Sequence, residues 1–214
     1  MKHARKAVAI HMVIMLLFGF VVSAFGQEDL PRGPRERPGG LDSSPLSESG
    51  NPVLSLMARS YSARRFIEGA VCPVDIERIL TAGAMAPSAR NAQPWHFTVT
   101  TNFDIISALL PAARPGNALI IVSGDPTPFP LTMHFDNGLA TQNMQLAAEA
   151  LGYGARQYIS PIPEIEANRR DQLGIPEGNV VLVALLIGPT DPGIDAITYA
   201  TPRNPLERHV NFVE

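Results

Sequence analysis

The chain has 214 residues, with 20 acidic side chains against 17 basic ones, a formal charge of −3, 45% apolar residues and one cysteine. A chain of this length and apolar content buries a sizeable core, and its acidic balance argues against general nucleic-acid binding. A lone cysteine closes no internal disulfide, and the absence of any lysine after Lys6 excludes Schiff-base and phosphate-loop lysine chemistry.

Lys2, Arg5 and Lys6 open the chain, an apolar run fills residues 7–25, and small residues end at Gly26. This pattern reads as a secretory signal over residues 1–26, cut before Gln27. The run is also close to the roughly 20 apolar residues that span a bilayer, so an uncleaved membrane anchor is the alternative. Either way the folded part is expected outside the cytoplasm, periplasmic or extracellular. Residues 27–50 are rich in Pro, Gly, Ser and mixed charge and read as a disordered linker. Without Lys2, Arg5 and Lys6 the chain keeps 14 basic residues against 20 acidic ones, a balance of −6.

The rest, residues 51–214, has the length of one domain. Asn51 followed by Pro52 reads as an N-cap with proline at the first helical position, opening a helix to about Arg59. A second helix is predicted over 73–85, with Ile76, Ile79 and Leu80 at helical spacing; Cys72 stands just before it and reads as structural. An alternating strand is expected over 96–101, a short helix over 103–113 and a continuous apolar strand over 118–124. The proline-rich 125–131 reads as loop. Asp136 reads as the cap of a long helix to Leu151, ended by Gly152. A short helix over 163–173, a last buried strand over 180–187 and an extended arm after Pro189 complete the order. Strands alternating with helices give an α+β fold, a mixed α/β sandwich.

Between the second helix and the first strand runs Ala86, Pro87, Ser88, Ala89, Arg90, Asn91, Ala92, Gln93, Pro94, Trp95, His96, Phe97. Prolines stiffen this stretch, and Ser88, Asn91 and Gln93 offer neutral donors and acceptors suited to a flat ligand with a polar edge. An ordered turn with Trp95 plugging the core is the plainer reading. The stretch resembles the APSAxNxQPWxF signature of the FMN-dependent nitroreductase family. Residues 59–66 (RSYSARRF) resemble that family's RRSxRxF entry motif, 136–148 its DxxxAxQNxxLAA helix, Leu151–Ala155 its LGLGS/A turn and 203–207 (RNPLE) its RxPLE segment. The five segments stand in family order with about the family's spacing.

The resemblance implies a central mixed sheet flanked by helices, in an intertwined homodimer with a flavin site at each subunit interface. It implies FMN as cofactor, NADH or NADPH as co-substrate, and hydride passed through flavin N5, in a ping-pong cycle, to a small-molecule acceptor: a nitroaromatic, a quinone or a related compound. Arg64 and Arg203 are then the candidates for the phosphate clamp, since guanidinium forks match phosphate oxygens, with Ser62 adding a hydroxyl. Pro87, Ser88, Ala89 and Asn91 would line the ring and its polar edge, Gln142 would face the flavin or its loop, and Gly154 would let backbone approach the ring. For Asn143 a bond to neighbouring backbone is equally expected.

Two departures stand out. Aligned on Ser62 and Arg64, the family's first arginine falls on Ser60, and the segment between Phe103 and Leu119 is short. A degenerate flavin-binding or dimerisation module is therefore an alternative reading; the expected export adds another, an exported member using a donor other than a nicotinamide. No acid or base is assigned a catalytic role; His96, His134 and His209 read as structural or rim residues. A hydrolase lacks its motifs, and no metal-ligand spacing is present.

Overall fold

The computed structural model describes residues 50–191 and 206–213. The expected signal segment, all but the last residue of the linker, the 192–205 stretch of the C-terminal arm and Arg203 lie outside the described residues.

Helix α1 spans Pro52–Arg59, and the Asn51 side chain accepts from the N–H groups of Val53 and Leu54 at 2.9 and 3.3 Å. Helix α2 spans Pro73–Ala84 with proline at its first turn and Cys72 at the cap position. Strand β1 (Trp95–Thr100) and helix α3 (Phe103–Leu109) follow, the latter capped by Asn102. Helix α3 stops short of the expected Ala113 because Leu110 is already extended ahead of Pro111. Strand β2 (Ala118–Gly124) is buried at every residue, which fits its unbroken apolar run.

Helix α4 runs from Pro130 to Ala150, 21 residues. Its start corrects the expectation that Asp136 caps it and that residues 125–131 are all loop. Pro130 suits the first helical position, where no N–H is needed, and Asp136 lies inside the helix, 2% exposed. The other end is as expected. Gly152, at φ +91, follows the last turn, with Gly152 N–H bonded to Glu149 O and Tyr153 N–H to Ala148 O, the paired bonds of a glycine C-terminal cap.

Strand β3 (Gly154–Tyr158), a broken helix α5 (Ile162–Glu164, a π turn Ile165–Arg169 and Arg170–Leu173) and strand β4 (Val180–Gly188) complete the main body. The sheet order is β1-β2-β4-β3, and every pairing among the described residues is antiparallel. A bulge opposite Val122 and Ser123 leaves Leu182 without a partner in the register.

Alternate residues of the central strands serve opposite faces. Leu119, Ile121, Ala184 and Leu186 pack with Ile106, Leu109, Ile165, Leu173, Ala63 and Phe66. Ala118, Ile120, Val122, Leu185 and Ile187 pack with Ile79, Met144 and Ala148. Helices α2 and α4 thus cover one face, and α3, α5 and the stretch after α1 cover the other, which is the expected sandwich. Helix α2 comes close to α4 at Gly83, where an added Cβ would lie 2.6 Å from Met144 Cγ.

Candidate functional site

The entry motif is an extended strap laid beside β3. It begins at Ser60, which ends α1 with φ −61 and ψ 137. Ala63 is fully buried and donates its N–H to Ala155 O at 3.0 Å; Phe66 is buried and bridges Thr190. Ser62 and Arg64, flanking Ala63, are both exposed. The alternation of an extended chain therefore presents a hydroxyl and a guanidinium two residues apart on one outer edge.

Gly154 is required by this strap. A Cβ at Gly154 would stand 2.4 Å from Thr190 Cγ2 and 3.0 Å from Ala63 Cβ. Gly154 is buried where the strap and Thr190 close over β3.

The signature loop sits elsewhere. Ala89 N–H donates to both carboxylate oxygens of Asp136 at 3.3 Å. The Ser88 hydroxyl accepts from Gln93 N–H at 3.0 Å, and Asp125 N–H donates to Pro94 O at 2.8 Å. The Arg90 guanidinium lies 5.1 Å from the Phe129 ring centre, a cation–π contact. Arg90, Asn91 and Gln93 hold φ values of 51, 58 and 46°, a left-handed conformation that costs residues other than glycine about 1–2 kcal/mol each. Four anchors therefore hold the loop in a strained shape. Pro87, Asn91 and Gln93 face solvent, while Ser88 and Ala89 are half-buried. Trp95 begins β1 half-buried and belongs to neither core cluster, so it does not plug the core.

The two motifs meet α4 at different heights, one about two turns in and the other at its last turn. Asp136 anchors the signature loop; at the last turn the Ser60 hydroxyl donates to Glu149 Oε1 at 3.0 Å. Thirteen residues separate the two acids, about 20 Å at a helical rise of 1.5 Å per residue. Gln142 is exposed between them, and Asn143 donates to Ala82 O at 3.1 Å, tying α4 to α2. The plainer reading of Asn143 is the one its geometry supports. Within one chain, then, the strap and the signature loop are anchored to α4 about 20 Å apart.

Sequence reading passed over a polar chain at the strap. Glu149 Oε1 also accepts from Gln145 Nε2 at 3.1 Å, and Gln145 Oε1 accepts from Gln157 Nε2 at 2.9 Å. Its signal in the sequence is an acid in a last helical turn, against the helix dipole. His96, His134 and His209 are exposed. Among the described residues no three His, Cys, Asp or Glu side chains gather to hold a metal, and no helix is long and apolar enough to cross a membrane.

A model of the nitroreductase family matches residues 57–123, from the end of α1 to β2. A "putative NADH dehydrogenase/NAD(P)H nitroreductase" of Archaeoglobus fulgidus is 34% identical over 146 residues, covering 63% of this chain and 83% of that protein. This chain belongs to the nitroreductase family. Solved structures agree. A "putative nitroreductase in complex with FMN" from Desulfovibrio desulfuricans is 29% identical, covers 78% of this chain and 99% of its own, and superposes with a TM-score of 0.64. A "putative NADH dehydrogenase/NAD(P)H nitroreductase" from Parabacteroides distasonis is 27% identical, covering 75% and 98%, with a TM-score of 0.60. In this nitroreductase-family chain the 136–148 motif lies wholly within α4, and the entry and signature motifs form the strap and the loop anchored to it. Among the described residues a cavity of about 610 Å³ lies between α4 (His134, Asn137, Thr141), Gln157 of β3 with Ile159 just after it, and the start of β4 (Val180).

Proposed function

We propose that this chain is an FMN-dependent NAD(P)H oxidoreductase of the nitroreductase type, acting as a homodimer. The observation that carries the reading is the outward pair Ser62 and Arg64, set on a strap whose intervening Ala63 is fully buried. A hydroxyl and a guanidinium so placed suit a phosphate, which in a chain without lysine beyond residue 6 must be held by arginine, hydroxyl or backbone groups. The neutral groups of Ser88, Ala89 and Asn91, held in a preformed loop, suit the polar edge of the flavin ring. Arg203 would complete the phosphate clamp, and Gln142 would meet the ring side. Held by these residues, FMN would supply two-electron transfer through its N5, in a ping-pong cycle, from NADH or NADPH to a nitroaromatic, quinone or related acceptor. The chain's own residues bind and orient; none is assigned a proton.

The distance between the two motifs supports a site shared by two copies. One chain holds them about 20 Å apart on α4; a second copy packed on this helix would bring its signature loop to the first copy's strap. Leu131, Phe135, Gly138 and Gln142 form an exposed stripe along α4 at helical spacing, with Leu131 97% and Phe135 67% exposed. The buried Asn137 Oδ1, which has no hydrogen-bond partner among the described residues, lines the cavity beside this stripe. Apolar side chains this exposed fit an interface between copies.

The basic and apolar start of the sequence supports export, with membrane anchoring as the alternative. Reduced nicotinamides are scarce outside the cytoplasm, so the donor is the part of the reading most open to test. The purified protein should absorb at flavin wavelengths. It should bleach without air on adding NADH or NADPH, and Arg64→Ala should weaken FMN while leaving riboflavin nearly unchanged. Flavin that stays oxidised rejects nicotinamide as donor and favours the second reading, an exported member fed by another reductant. Flavin that never turns over with any donor and acceptor leaves a carrier module, which the serine at position 60 would suit.

A further inference from the structure

Position 60 carries serine where the entry motif it resembles carries arginine, and the structure shows what that serine does. Its hydroxyl donates to Glu149 Oε1 at 3.0 Å, and the same oxygen accepts from Gln145 Nε2 at 3.1 Å. Gln145 is in turn held by Gln157 of β3 at 2.9 Å. Glu149 is thus fixed beside the strap by Ser60 and by Gln145, which Gln157 in turn holds. It occupies the last turn of α4, where a negative charge opposes the helix dipole, so helix stability does not account for an acid here. From Ser60 to Ser62 is two residues of extended chain, about 7 Å. The carboxylate therefore stands within about 10 Å of the Ser62 end of the pair, near the screening length at physiological salt.

On the reading that Ser62 and Arg64 receive the flavin phosphate, we infer that Glu149 is a specificity-determining residue that weakens the phosphate grip. An arginine at position 60 would add a positive charge there. Serine instead tethers a negative one, so this chain gains less from the phosphate of FMN than a strap with arginine would. Its preference for FMN over riboflavin is correspondingly narrow. Riboflavin carries no phosphate for the carboxylate to repel, so its binding should change little.

The test is fluorescence titration of flavin-stripped full-length protein with FMN and, separately, riboflavin. The original chain is compared with Glu149→Gln and Ser60→Arg. A unit charge acting over about 10 Å in a partly solvated site changes affinity by about threefold to tenfold. Both variants should tighten FMN by that factor and leave riboflavin within about twofold. Glu149→Gln keeps the shape and the accepting oxygen, so it isolates the charge, whereas Ser60→Arg adds a positive charge of its own and shows only that the strap faces the phosphate. FMN and riboflavin shifting in parallel, or FMN unchanged or weaker in Glu149→Gln, would overturn the role of Glu149 while leaving the flavin reading intact. If neither flavin binds to any of the three proteins, the functional reading falls and this inference with it.

Discussion

Asp136 and Ala89 join the longest helix to the signature loop: the N–H of Ala89 lies 3.3 Å from both carboxylate oxygens of an aspartate that is 2% exposed. The bond is charge-assisted and largely shielded, in the class that contributes about 1.5–3 kcal/mol. It also holds a segment with three left-handed residues that would relax if released. Asp136→Ala should cost about 2 kcal/mol, lowering Tm by about 4–8 °C, and should speed hydrogen exchange at Ala89. Asp136→Asn keeps an acceptor and should lose less. An unchanged Tm together with unchanged exchange at Ala89 would show that the loop is held without this contact.

Gly154 makes a sharper case, because the tightest part of its constraint is one methyl group. Gly154→Ala places a Cβ 2.4 Å from Thr190 Cγ2, an overpacking that costs about 1–3 kcal/mol. Thr190→Ser removes that methyl and keeps the hydroxyl, which lies 3.5 Å from Tyr61 OH. In the Gly154→Ala background it should recover much of the loss, giving a coupling of about 1 kcal/mol or more in a double-mutant cycle of urea melts. Additive effects would mean that the strap moves aside instead.

Much of this architecture is legible in the sequence, and the exceptions share a cause. Asn51, Pro52, Pro73, Asn102 and Gly152 mark helix ends through local chemistry, and β2 and β4 through unbroken apolar runs. Strand β3 carries no such mark. It has five residues, opens on a glycine and mixes Arg156 and Gln157 with Ala155, so only its pairing with β4 defines it. Asp136 has the residue type of a cap but turns inward to serve a loop 47 positions away, a relationship no local pattern encodes. The site divides the same way. The motifs name Ser62, Arg64 and the 87–91 loop, whereas their separation along α4 and the bond between Ser60 and Glu149 depend on tertiary geometry alone.

The exposed stripe on α4 predicts an effect on assembly separable from folding. Phe135 is 67% exposed, so Phe135→Glu removes little packing within one chain. In an interface between copies it would bury an unpaired charge, which is strongly unfavourable. The variant should sediment as a monomer with unchanged helical circular dichroism, and it should lose flavin if each site needs both copies. A variant that keeps the dimer would place the interface on another surface.

Glu166 makes stability depend on pH in the acid range. Burial works against its charge, but the Val181 N–H at 2.9 Å and the Arg170 guanidinium outweigh this and hold its carboxyl below the ordinary value of 4.5. Arg170 also donates to Pro176 O and Asn179 O, both at 2.9 Å, so the acid fixes the turn between α5 and β4 through it. Because the folded value is depressed, the contribution is complete above the unfolded pKa and is lost as pH falls through the folded one. Glu166→Gln should therefore melt below the original chain at neutral pH. The gap between the two should close as pH drops from about 5 to about 3. A gap that stays constant across that range would mean that the carboxylate's charge contributes nothing to the fold, leaving only its shape and hydrogen bonds.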